Sequence, residues 1–116
     1  MTIRKAAEAL DAEILHNDFT DVILSIAYTS DLLSDVLANA KVPRDDEKSG
    51  GVLITIQAHK NTVAVATVVN IRAIIICNSR PVPEDMLDSA RKHGIALLRT
   101  KENQFTVSGK IFSLLV

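Results

Sequence analysis

Seven polar residues stand where the chain leaves apolar, β-branched runs. Ser30 and Asp31 follow VILSIAYT, Gln57, His59 and Asn61 follow VLITI, and Asn78 and Ser79 follow AIIIC. Each type has a chemistry it could perform there. A histidine at such a junction can donate to an anion or carry a proton near neutral pH. Asn61, or Lys60 beside it, could help hold a phosphate against the free N–H groups of a helix start. Asp31 with His59 would make an acid–base pair. Asp31 and Asp35, four residues apart, could share a cation. Every one of these has a plainer counterpart: a surface histidine, Asn61 as a helix cap, carboxylates on a solvated helix face, and loops that are polar because they are loops.

Other chemistries are absent from the pattern. His16, His59 and His93 show no metal-ligand spacing, and one cysteine adds nothing to them, so neither a metal nor a cofactor is expected. Cys77 closes a β-branched run and reads as core, with nothing arranged to make it a nucleophile. The tripeptide Ser108-Gly109-Lys110 is no phosphate loop, because Gln104 stands where that motif needs its first glycine. No Gly-x-Ser-x-Gly or Gly-x-Gly-x-x-Gly occurs.

These candidates matter only if the elements behind them bring strand ends together. Ile3, Ala6, Ala7 and Leu10 give a first helix with Thr2 as its cap, and a short strand follows at Glu13–Leu15. DVILSIAYT reads as a buried strand. Leu32, Leu33, Val36, Leu37 and Ala40 then form a helical stripe, with Ser30 as N-cap and Asp31 in the first turn. Ser34 and Asp35 fall on a solvated or partner-facing side. KVPRDDEKSGG is a polar loop ended by Gly50-Gly51, and the next strand runs from Val52 to Gln57. NTVAVATVVN has strand propensity, yet no hairpin turn links it to either neighbour, so a crossover helix before RAIIIC competes with a strand there. PVPEDMLDSARKHG is a helix with acids first, bases last and Gly94 as the left-handed cap. IALLR is a strand, and TKENQFTVSGKIFSLLV a terminal helix interrupted by Gly109. The alternation predicts a three-layer α/β/α domain with a largely parallel or mixed central sheet. In such sheets, ligands bind beyond the carboxyl ends of the strands, where the seven residues collect.

Composition narrows the class. At 116 residues the length suits one domain. Thirteen basic residues against 14 acidic ones, with no basic stripe, exclude a nucleic-acid footprint. The most apolar window is broken by Asn70 and Arg72, so no membrane span is expected. The charged N-terminal stretch is no secretory signal, and the lone cysteine suits a reducing compartment, so a cytoplasmic location is expected.

Three blocks, SDLLSDVLANA, VLITIQAHKNTVAVA and AIIICNSRPVPEDMLDSARKHGIALLRTKENQF, resemble small stand-alone proteins of the DRTGG-domain group, over nearly all of residues 1–116. That domain is similar to the N-terminal domain of HPr kinase/phosphorylase. By position, the group's Asp-Arg pair falls near His59 and Lys60, and its Thr-Gly-Gly turn at Cys77, Asn78 and Ser79, so neither half of the naming motif is kept. The resemblance makes Asn61–Asn70 a helix. It implies a non-catalytic regulatory module that forms a homodimer and binds a small anionic ligand, such as a nucleotide, or a protein partner at the strand-end edge. Its alternative is a structural adaptor, because the stand-alone branch looks like proteins encoded near iron-only hydrogenase-type and anti-sigma-type ATPase genes. HPr kinase carries its phosphate loop in a second domain, so no kinase activity is implied for this one.

Overall fold

The computed structural model describes residues 1–115. Its elements run α1 (Ile3–Ala9), β1 (Glu13–Ile14), β2 (Ile23–Thr29), α2 (Leu33–Asn39), β3 (Ser49–Thr55), α3 (Lys60–Val68), β4 (Ile71–Ile76), α4 (Glu84–His93), β5 (Ala96–Arg99) and α5 (Gln104–Leu115). The strands form one sheet in the order β1-β5-β4-β3-β2, with β2 to β5 parallel and β1 antiparallel on β5. Each parallel crossover steps one strand in the same direction. Right-handed connections therefore put α2, α3 and α4 on one face. Val36, Val63, Ala66, Met86 and Ala90 pack there against Leu53, Ile74, Ile76 and Leu97. The helices outside those crossovers, α1 and α5, cover the other face, where Ile3, Ala6, Val107 and Ile111 meet Val52, Ile54, Ile75, Cys77 and Leu98. With both faces covered, the central strands are apolar at nearly every position.

NTVAVATVVN is a helix despite its β-branched content, because parallel β3 and β4 need a crossover and burial of Val63 and Ala66 outweighs propensity. α4 follows its terminal signals closely: Glu84 and Asp85 open it, Arg91, Lys92 and His93 close it, and Gly94 has φ 66°.

Several expectations are overturned. Ser30 is not a helix cap. α2 starts two residues later than a Ser30 cap requires, after Leu32, so Asp31 lies ahead of its first turn. Leu32 and Leu37 consequently point to solvent, and Val36 carries the burial of that helix. Gly50 and Gly51 do not end a loop but lie inside β3, which stops at Thr55, short of Gln57. Gly109 does not interrupt α5; an open surface position tolerates a glycine without breaking the hydrogen-bond ladder.

The strand-end edge as candidate functional site

Asp31 is the hub of the carboxyl edge of the sheet. Its Oδ1 accepts the Thr55 hydroxyl at 3.1 Å and the Ile56 N–H at 3.0 Å, and its Oδ2 accepts Gln104 Nε2 at 3.0 Å. One carboxylate thus ties the end of β2 to the end of β3 and to the first residue of α5. Partial burial pushes this carboxyl up, but the Ile56, Gln104 and Thr55 hydrogen bonds and the positive charge of Arg80 outweigh it. Asp31 is held below the ordinary carboxylate range. The Gln104 Oε1 left over from this contact is buried without a partner.

The network extends toward α3. Thr55 Oγ1 accepts the Gln57 N–H at 3.1 Å, and the Gln57 carbonyl accepts the Thr62 hydroxyl at 2.8 Å. His59, not Asn61, caps the helix: its Nδ1 accepts the Asn61 N–H at 3.0 Å, which places the proton of the neutral ring on Nε2. Asn61 is an exposed first-turn residue. No hydrogen bond joins His59 to Asp31: the carboxylate accepts from Thr55, Ile56 and Gln104, and His59 Nδ1 accepts from Asn61. Nor do Asp31 and Asp35 share a cation site. Asp35 accepts from Tyr28 and Asn39, and hydrogen bonding, led by Asn39, lowers its pKa. Among the described residues, no group of three or more His, Cys, Asp or Glu side chains could hold a metal ion.

The third part of the edge is the turn after β4. Asn78 and Ser79 both adopt left-handed backbone, φ 60° and 50°, and the Cys77 carbonyl accepts the Arg80 N–H at 3.3 Å. Positive φ at both central residues is the type I′ arrangement, which favours glycine. The turn that resembles Thr-Gly-Gly therefore keeps glycine geometry without glycine. Its amides are spent internally: Asn78 N–H donates to Glu102 and Ser79 N–H to Thr100. These two N–H groups are therefore not free to meet a ligand. The turn joins the rest of the edge through the Cys77 N–H, which donates to the Thr55 carbonyl. Burial first, then the Asp31 and Glu102 charges, push the buried Cys77 thiol up to about 11, far from a nucleophile. Beside Ser79 a cavity of about 310 Å³ is lined by Arg99, Thr100, Lys101, Glu102 and Glu13.

The strain at Ser79 has a measurable consequence. Left-handed backbone costs an L-residue about 1–2 kcal/mol, and glycine gives part of that gain back through unfolded-chain entropy. Ser79→Gly should raise the unfolding free energy by about 0.5–1 kcal/mol in urea titrations. A loss of stability would show that the hydroxyl, not the backbone, holds the turn.

Of the seven residues expected at this edge, Asp31 and Gln57 share one connected network through Thr55, while Ser30 next to Asp31 bonds the Ile54 carbonyl and Leu32 instead. Asn78 and Ser79 attach to it through Cys77, and His59 and Asn61 border it at the start of α3. Arg80, which follows the same strand end, joins them, and Thr55, Gln104 and Glu102 complete the edge without having been expected there. Thr55 had a signal, a hydroxyl ending an otherwise apolar strand. Gln104 had none, lying 73 residues from Asp31.

The profile of the family described as HPr Serine kinase N terminus matches residues 54–115, more than half of the chain and all of the edge beyond Asp31. The chain belongs to this family. The fold agrees. A crystal structure of the CBS and DRTGG domains from the regulatory region of Clostridium perfringens pyrophosphatase, complexed with the activator diadenosine tetraphosphate, aligns with a TM-score of 0.63 at 14% identity. The alignment covers 95% of this chain and 45% of that one, so the family domain is DRTGG-like and spans under half of that regulatory region. No curated protein matches the chain by sequence.

Proposed function

We propose that the protein is a non-catalytic regulatory module of the cytoplasm that dimerises and binds a small anionic ligand, of nucleotide or phosphorylated-metabolite type, at the strand-end edge. The observation that carries this reading is Asp31, an anchored carboxylate at the junction of β2, β3 and α5, with Arg80 close enough to lower its pKa. A ligand hydroxyl or amine meets that carboxylate while its phosphate meets Arg80 and the Nε2–H of His59. The regulatory role of the pyrophosphatase region that shares the fold supports it. No helix among the described residues is long and apolar enough to cross a membrane.

Thermal shift against a panel of nucleotides and phosphorylated metabolites tests this. A ligand at a hundred times its Kd stabilises by about 2.7 kcal/mol, which is several degrees for a domain of this size. Arg80→Ala should abolish the shift. If none of the panel stabilises the protein at millimolar concentration, the ligand reading falls. A structural adaptor is then favoured, because Leu32 and Leu37 of the α2 region present apolar surface to solvent.

A further inference from the structure

The amino-terminal edge of the sheet, opposite the Asp31 network, carries a cavity of about 450 Å³. Its size is that of a small-molecule site. The segment after β1 gives it Asp18 and Phe19, and the loop after α2 gives Arg44. The starts of β4 and β5, with the helix ends before them, give Asn70, Arg72 and His93.

Arg72 reaches this cavity from a bulge. Along β4, Ile71 pairs with Gly51 and Ala73 with Val52, so Arg72 is an extra residue, and its stem lies over the bare backbone of Gly50. Nothing inside the protein uses the charge so placed. The ion pairs among the described residues belong to Arg91, Arg99 and Lys110, and the half-buried Arg72 donates no hydrogen bond among them. Asp21 and Glu47 line a second cavity that Arg72 also borders, yet neither pairs with it. α3 ends at the same edge, where its last carbonyls would repel an anion. Arg44 offsets them: its Nη2 donates to the Thr67 and Val68 carbonyls at 2.8 and 2.7 Å.

The remaining polar groups on the cavity are acceptors. Asn70, 8% exposed, donates its Nδ2 to the Pro43 carbonyl at 2.8 Å and keeps Oδ1 for another donor. His93 Nδ1 lies 2.9 Å from the Ser89 carbonyl, which can only accept, so the neutral ring carries its proton there and Nε2 accepts. Asp18 adds a carboxylate, and Phe19 an apolar wall. An uncommitted guanidinium beside three acceptors matches a ligand with an oxyanion at one end and hydroxyl donors along its length.

We propose that this amino-edge cavity binds a small hydroxylated organic anion of sugar-phosphate or sugar-acid type, its oxyanion on Arg72 and its hydroxyls on Asp18, Asn70 and His93. The site is separate from the strand-end edge and does not depend on it.

Amide NMR titrations of the isotope-labelled protein with ribose phosphate, gluconate and inorganic phosphate test this. Ribose phosphate or gluconate at millimolar concentration should shift the Asn70, Arg72 and Gly94 amides, and the tighter of the two tells a phosphate from a carboxylate. Arg72→Met keeps the stem over Gly50 and removes the charge, so it should weaken binding about tenfold or more. Should that variant fail to fold, the wild-type shift map decides. The site is overturned if neither organic anion moves those amides, or if Arg72→Met binds as wild type does. Inorganic phosphate binding as tightly as both would reduce it to an adventitious ion only. Shifts confined to Asp31, Ser79 and Arg80 would overturn it in favour of the strand-end edge.

Discussion

Asp31→Ala should lower the unfolding free energy by about 2–4 kcal/mol, the largest loss expected from any side chain at the edge. The carboxylate accepts three hydrogen bonds, from Thr55, Ile56 and Gln104. Thr55 is fully buried, so its hydroxyl loses its acceptor and finds no water. Bonds to a charged acceptor are worth more than neutral ones, but partial exposure on the Gln104 side keeps the sum below three times the single-bond value. Asp31→Asn separates geometry from charge. Its Oδ1 can still accept from Thr55 and Ile56, and its new NH₂ can donate to Gln104 once that amide flips. The flip leaves the Gln104 NH₂ in place of the unpartnered Oε1, so it neither adds nor removes an unsatisfied polar atom there. Asp31→Asn should therefore recover at least half of the loss in chemical denaturation. If it is as damaging as alanine, the ion–Arg80 interaction and not hydrogen bonding holds the edge together.

The same pair of variants fixes the pH response. A carboxyl whose native pKa lies below its unfolded value binds fewer protons folded than unfolded in the window between the two, so stability rises with pH there. Asp31 contributes in full above the unfolded value of about 3.9, and that contribution is lost as pH falls through its lower native pKa. Asp31→Asn should flatten the acid limb of the stability profile below about pH 4 without removing it, because Asp35 is shifted the same way.

Sequence pattern carried the layered fold because strand and helix periods and helix-end chemistry are local. Acidic Glu84-Asp85, basic Arg91 to His93 and Gly94 delimit α4 without reference to anything else in the chain. The strand-end location of the site followed from parallel topology. What stayed hidden was which polar side chains would meet. The Asp31–Thr55 contact spans 24 residues and Asp31–Gln104 spans 73, and no local rule encodes either. Ser30 shows the opposite error. It has the chemistry of an N-cap, but its N–H is committed to the Ile54 carbonyl of the neighbouring strand just beyond the end of β2, and its hydroxyl serves a short turn to Leu32 instead. Tertiary pairing displaced a sound local preference. The family resemblance decided α3 where propensity pointed to a strand, and the burial of Val63 and Ala66 explains why.

Gly50→Ala should cost about 1–3 kcal/mol, an overpacking loss at a position that reads as loop. The cause is a pair of bulges. Along β2, Leu24 pairs with Gly50 and Ile26 with Gly51, so Ser25 is an extra residue; along β4, Ile71 pairs with Gly51 and Ala73 with Val52, so Arg72 is another. β3 is squeezed between two strands that each insert a residue at the same level, and it answers with two residues that lack side chains. The Arg72 side chain folds over the vacancy: a Cβ on Gly50 would collide with Arg72 Cγ and lie 3.1 Å from Arg72 Cβ and 3.3 Å from the Asn70 carbonyl. Arg72 can swing away, but only by giving up the packing of its methylene stem. A double-mutant cycle isolates this. Gly50→Ala should cost less than half as much in an Arg72→Ala background, because the nearest obstacle is then gone. An equal cost in both backgrounds would place the obstacle in the Asn70 carbonyl and the Arg72 Cβ, which alanine keeps, and the bulge on β4, not the arginine's longer side chain, would be what requires glycine.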